Sequence, residues 1–329
     1  MPRRRRPVLP EIDFSRARTF PLTRRPSLVE VGGLGQPYRP GDSVRTFLER
    51  LPSFLAANDL RTIARELAER HRAGKTIVLG MGAHPIKVGL GPVIIDLMRR
   101  GLIQGLAVNG ATMIHDFELA YAGMTSEDVA SHIADGRFGM ARETGEFLNH
   151  AAAQAGEGGL GAAVAEAMAR ARLPFARSSV FVAAHRYGIP LTVHVALGTD
   201  IVHMHPNADG AAIGKASLAD FRQLVRLAAT MDGGSFVLLG SAVILPEVFV
   251  KAVSLARNLG FSVRRLLTVN LDFLRHYRPQ MNVLQRPTLP DGRGYHLTGH
   301  HEILFPLLCA AWVEALRSPR KKRTSRPRS

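Results

Sequence analysis

"LAVNGATMIHDFELAYAG", residues 106–123, joins an apolar run too short for a helix to the opening of an amphipathic one across Asn109-Gly110-Ala111. The helical pattern begins at about Thr112 and carries His115, Asp116 and Glu118 in its first turns. A short apolar run without alternation reads as a strand buried on both faces, and a helix directly after it is half of a βαβ unit. The stretch therefore predicts a parallel sheet, and it delivers a histidine and two carboxylates to the mouth of a helix.

Working outward, "KTIVLG" (75–80), "LIQGLAVNG" (102–110), "IPLTVHVAL" (189–197), "SFVLLG" (235–240) and "FSVRRLLTVNLDF" (261–273) read as strands. Between them the pattern predicts helices over 85–100, 139–154, 160–172, 178–188, 217–231 and 245–260, with a buried closing helix over 301–316. Two further helices precede the first strand, with Asp42 and Asn58 or Asp59 as caps. Thr125 with Asp128 resembles a capping box and predicts a helix starting there. The alternation implies an α/β, Rossmann-like fold: a mostly parallel sheet with helices on both faces. One domain over 42–316 follows, between an extended basic segment (1–41) and a disordered basic tail (317–329).

The 329 residues carry a net charge of +16, but the ends hold most of it. Residues 1–25 contribute +6 and residues 317–329 contribute +7, leaving +3 for the 291 between. Such tails are solvated, and their expected partners are polyanions held weakly and in a salt-dependent way. No apolar run approaches the ~18 residues of a membrane span. The basic N-terminus lacks the apolar region of a secretory signal. The single Cys309, within "LLCAAW", reads as a buried thiol, which fits a reducing cytoplasm.

Ligands of such sheets bind beyond the carboxyl ends of the strands. There the chain places "GMGAHPIKVGLG" (80–91), with His84 and Lys87 between glycines, then "NGATMIHD", "GTDIVHMHP" (198–206) and "GSAVILPE" (240–247). The glycine spacing fits neither a Walker A loop nor G-x-G-x-x-G, so phosphate cradle and close-packed turn both stay open. His203 and His205 share a face if the chain is extended there, as divalent metal ligands or as a pair bonded to backbone. His300-His301-Glu302 reads as a helix cap and solvent face.

From Gly80 through Gly123 the chain resembles the deoxyhypusine synthase family without a gap. "SSVFVAAHRYGIPLTVHVALGTD", "FVLLGSAVILPE" and "ILFPLLCAAWVEAL" extend the resemblance, in order and spacing, over roughly residues 75–316. The family binds NAD at these strand ends, oxidises a polyamine by hydride abstraction, and passes a butylimine through a lysine as a homotetramer. The resemblance implies cofactor contacts at His84, Lys87 and Val88, at Asn109, Gly110 and Ala111, at Asp200, and at Gly240 and Ser241. The family's catalytic lysine has no counterpart, because no lysine occurs between Lys251 and Lys321. Its polyamine-binding histidine aligns with Pro246 and its ribose-binding glutamate with His115.

The expectation is thus a deoxyhypusine synthase-like, NAD-dependent transferase or oxidoreductase that is not a true deoxyhypusine synthase. Its substrate would be a small amine, amino acid or polyamine-like compound. His115 or His203 would serve as general base, Asp200 would orient the ligand, and Lys87 could replace the missing lysine. Metal-assisted hydrolysis at His203 and His205, or binding without catalysis, are the alternatives.

Overall fold

Successive side chains of a strand point to opposite faces, so a wholly apolar strand must be covered twice. Such strands, with one more polar strand at an edge, make a six-stranded parallel sheet. They are β1 (Ile77–Met81), β2 (Gly105–Asn109), β3 (Leu191–His194), β4 (Ser235–Leu239), β5 (Leu267–Asp272) and β6 (Arg293–Thr298). Their order is β3-β2-β1-β4-β5-β6, with Leu79 opposite Leu106 on one side and Val237 on the other. The computed structural model describes residues 9–317, so the expected tail lies almost wholly outside the described residues.

Period two sorts the strand residues into two cores. Ile77, Leu79, Val237 and Leu239 pack with Ile63 and Leu67 of the Leu55–Arg72 helix, Ile94 of Gly91–Arg99, and Phe305 and Leu308 of His301–Arg317. Val78, Phe236 and Leu238 turn the other way, onto Leu224 of Gly210–Ala229 and Phe249 of Ile244–Asn258. Phe236 stacks on Phe249 with ring centroids 3.8 Å apart. Its ring lies over Gly80, where an added Cβ would come 2.4 Å from Cζ. Gly80 is therefore a packing glycine within β1.

At the β3 edge, helix side chains satisfy the backbone. Asp220 accepts from the amides of Val193 (2.8 Å) and Gly161 (2.9 Å), and Ser217 Oγ accepts from Val195 (3.2 Å). An edge treated in this way offers no template to another strand. Burial pushes the Asp220 carboxyl up to about 7, against the pull of these hydrogen bonds.

The structure also corrects local expectations. The helix expected over 85–100 is broken into His84–Lys87 and Gly91–Arg99 at Gly89, whose φ of +80° suits glycine. Thr125 does not open a helix. Asp128 caps a single turn, Val129–His132, because the Thr125 hydroxyl is engaged elsewhere. The second N-terminal helix starts at Leu55, ahead of both expected caps. Unforeseen β6 reads "RGYHLT": it is an edge strand, and only Leu297 in it is fully buried. Cys309 is free and buried, and burial raises its thiol pKa.

Candidate functional site

A parallel sheet brings all its carboxyl ends to one edge, and here the strand order reverses between β1 and β4. The backbones leaving these two strands touch. A Cβ on Gly82 would lie 2.3 Å from the Gly240 carbonyl oxygen. Gly240 has φ +62°, and its Cβ would meet His301 Cε1 at 2.6 Å. Two bare backbone segments and one imidazole thus share a space that leaves no room for a further side chain.

His84 opens the short turn after β1, with its Nδ1 2.8 Å from Nδ1 of His301. His301, the first residue of the closing helix, is fully buried. Its Nε2 stands 3.3 Å from the Leu271 carbonyl oxygen and 3.8 Å from Asp272 Oδ1. The Phe273 ring flanks both imidazoles, at centroid distances of 5.7 and 5.4 Å. The expectation that His301 belongs to a solvent face is overturned, since the helix start is drawn under the ends of β4 and β5. Ser241, beside Gly240, accepts from the Leu245 amide (3.3 Å) in the first turn of the Ile244–Asn258 helix.

On the other side of the switch, Asn109 caps the Gly110–Ala122 helix by accepting from the amide (3.0 Å) and hydroxyl (2.7 Å) of Thr112. Gly110 and Ala111 leave the first turn of that helix without bulk. Asp200 fills the space: a Cβ on Gly110 would lie 1.9 Å from its Oδ2. Burial raises the Asp200 carboxyl to about 6.

His203 turns back on its own loop, its Nδ1 accepting from the amides of Gly198 (3.1 Å) and Asp200 (3.2 Å). His205 is buried, with Nε2 2.9 Å from the Gly139 carbonyl oxygen and its ring against Gly145. The pair bonds to backbone in two different places. Among the described residues no group of three or more His, Cys, Asp or Glu is placed to hold a metal ion.

The three polar residues at the mouth of the Gly110–Ala122 helix part company. Asp116 is structural: it accepts from Ser179 Oγ and from the amides of Val180 (2.8 Å) and Phe181 (3.2 Å), at the start of the Val180–Tyr187 helix. His115 Nδ1 lies 2.7 Å from Thr125 Oγ1, which donates to Glu118 Oε2. Thr144 donates to the other oxygen of Glu118 at 3.2 Å. With the only Thr125 proton given to the carboxylate, His115 Nδ1 must donate, and its Nε2 is left as an acceptor. Burial, helped by the nearby charge of Lys87, lowers the His115 pKa to about 4, so the ring is neutral at pH 7. Lys87 itself is exposed.

The structure thus gathers His84, Gly240 and Ser241 on one side of the switch, Asn109, Gly110, Ala111 and Asp200 on the other, and Lys87 with His115. Sequence reasoning missed Asp272 and Thr125 and misassigned His301. Asp272 had a legible signal, an acid ending the apolar strand "LTVNLD". Thr125 had none. The void among Leu67, Leu97, Phe305 and Trp312 is apolar and belongs to the core.

No family model and no curated protein sequence matches the chain. Solved structures do resemble it. AgrE, in a ternary complex with ornithine and NAD+, superimposes with a TM-score of 0.52 at 15% identity over 78% of this chain and 33% of AgrE. A conserved Methanococcus maripaludis S2 protein assigned to the LOR/SDH group gives 0.52 at 15% identity over 88% of this chain and 75% of that one. An Entamoeba histolytica protein assigned as a deoxyhypusine synthase gives 0.51 at 11% identity, over 85% and 96%. The chain spans about a third of the ArgZ and AgrE structures it matches, 32% of ArgZ, a cyanobacterial arginine dihydrolase, and 33% of AgrE. At these identities the likeness establishes the α/β fold alone.

Proposed function

We propose that this chain is an NAD-binding enzyme acting on a small amine, amino acid or polyamine-like compound, and that it is not a true deoxyhypusine synthase. The reading rests on one observation above the others: the ends of β1 and β4 present bare glycine backbone, at Gly82 and Gly240, at the reversal point where dinucleotides bind sheets of this order. The glycines of "GMGAHPIKVGLG" serve packing and turns, so the dinucleotide would be held by His84 and the Gly82 backbone, by Asn109, Gly110 and Ala111, by Asp200, and by Gly240 and Ser241. When bound, NAD would supply a hydride acceptor. Asp200 follows β3 and packs against Gly110 at the end of β2, in the region where such sheets hold a ribose. A carboxylate against a helix N-terminus repels phosphate, so its partners there are hydroxyl or ammonium groups.

The protein's own chemistry is proton handling and orientation. His115 offers a neutral acceptor nitrogen oriented through Thr125 and Glu118, with Lys87 as the nearby amine. No lysine stands where the resembling family carries its catalytic one, which argues against imine transfer by that route. The test is calorimetric titration of NAD into wild-type and Asp200→Ala protein. Saturable binding that is lost in the variant supports the reading, and NADH formation is then screened with L-arginine, L-ornithine, L-lysine and spermidine. No binding up to millimolar NAD retires it.

Among the described residues no helix is long and apolar enough to cross a membrane. We infer a homotetramer, supported by the N-terminal segment, where Phe14, Leu28 and Val31 are 84%, 96% and 85% exposed, in a reducing cytoplasm that fits the lone, unpaired Cys309. Chains rarely leave so much apolar surface uncovered. Light scattering on the eluting protein decides it, and a monomer would overturn it.

A further inference from the structure

The two imidazoles at the strand-order reversal make a directed hydrogen-bond chain. A carbonyl oxygen can only accept, so the 3.3 Å contact to Leu271 requires that His301 carry a proton on Nε2. In a neutral ring that leaves Nδ1 as an acceptor. His84 must then donate from its own Nδ1 across 2.8 Å, leaving its Nε2 without a proton. The opposite assignment would set the bare Nε2 of His301 against the lone pairs of Leu271 and of Asp272, 3.8 Å away. Burial keeps the His301 pKa below the usual histidine range, with Asp272 opposing and His84 reinforcing, so the resting ring is neutral. His84 is only partly buried, and its Nε2 bonds to no described residue.

We propose that His84 Nε2 is a second proton acceptor of the strand-end site besides His115, taking a proton from a ligand amine or hydroxyl, with His301 as its positioning residue and onward proton acceptor. The proton balance closes within the chain. A ligand N–H or O–H bond breaks as its proton binds His84 Nε2, and the proton on His84 Nδ1 crosses to His301 Nδ1. The resulting His301 imidazolium keeps its Nε2–H on Leu271 and faces the Asp272 carboxylate. Ligands with a donor beside the reacting carbon fit, as in amines, amino acids and alcohols; a ligand lacking any donor does not. Gly240 is part of the device, because a Cβ there would displace His301. The inference rests on the strand-end crevice being the ligand site, and does not require that NAD be the cofactor.

The charged and titratable groups acting on His301 are Asp272 on β5, His84 and Glu302; His300 and Lys87 are neighbours along the chain, His300 beside Glu302 and Lys87 on the turn of His84. The experiment is nitrogen-detected NMR of histidine-labelled full-length protein from pH 5 to 8. The expected spectrum shows His84 protonated at Nδ1 and bare at Nε2, with His301 protonated at Nε2. His301→Leu removes the acceptor and should release His84 into a mixture of tautomers. His301→Gln, whose amide oxygen can accept, should restore the wild-type tautomer, and Glu302→Gln should leave it unchanged. With any substrate found in the NADH screen, His84→Gln should lower kcat about 100-fold or more, a loss larger than any accompanying change in NAD affinity. A wild-type His84 protonated at Nε2, or unchanged by His301→Leu, overturns the proposal even if NAD binds. Failure of NAD binding with these tautomers intact retires the cofactor reading alone.

Discussion

The carboxylate of Asp200 lies against the α-carbon of Gly110, so close that a Cβ would sit 1.9 Å from Oδ2. One residue leaves β2 and the other follows β3, so the contact joins two strand ends. Gly110→Ala should expel Asp200 from the site at little structural cost, since residue 110 is helical and accepts alanine. The expected outcome is loss of at least tenfold in NAD affinity with the melting temperature held within a few degrees. Calorimetry and thermal melts on the same samples check it.

Asp200 also sets a pH dependence. Burial raises its carboxyl to about 6, so it is ionised above that value and neutral below it. Binding through the carboxylate should be full at pH 7.5 and fall as pH drops through 6. Stability runs the other way. A carboxyl raised on folding favours the folded state below its unfolded value near 4, and that share is lost as pH rises through 6. Asp200→Asn should therefore gain on the wild type between pH 5 and 8 in urea melts while binding NAD poorly at both.

Asp116 should matter for folding and not for chemistry. It is fully buried and ties two helices through one hydroxyl and two amides. Asp116→Ala should cost roughly 3 kcal/mol, through lost hydrogen bonds and donors left buried. Urea denaturation measures this. An equally stable variant would contradict the role assigned here.

At Gly240 an alanine would be strained by the positive φ and would strike His301. The backbone term alone costs about 1–2 kcal/mol. Gly240→Ala should lower stability by at least that much and abolish the His84–His301 coupling in the NMR experiment. Gly136, at φ +75° with open space around it, is the control: alanine there should show the backbone cost only.

Tail function separates from the site by charge. Removing residues 318–329 takes away six basic side chains and no acidic ones. Heparin affinity should drop and its salt dependence flatten, with NAD binding unchanged.

Much of the architecture was legible. Val78, Leu79, Leu106 and Val108 belong to runs with no polar break, which only a doubly covered parallel strand accommodates, and the strand-end rule pointed to His84, Asn109, Asp200 and Gly240. β6 was illegible because an edge strand with one covered residue carries little apolar signal. His301 was misread because its burial depends on Gly240 and Leu271, remote in sequence.

Local pattern settled which segments are strands and helices and which residues stand at strand ends, because burial on two faces and backbone punctuation are written in adjacent residues. Roles within the site were settled only in three dimensions. Of the three polar residues that open the 110–122 helix, Asp116 holds the Val180–Tyr187 helix, while His115 and Glu118 meet through Thr125. Which nitrogen of His84 bears its proton depends on a histidine 217 residues away. Protonation and hydrogen-bond direction are properties of contacts, and those contacts exist only once distant strands have been brought to one edge.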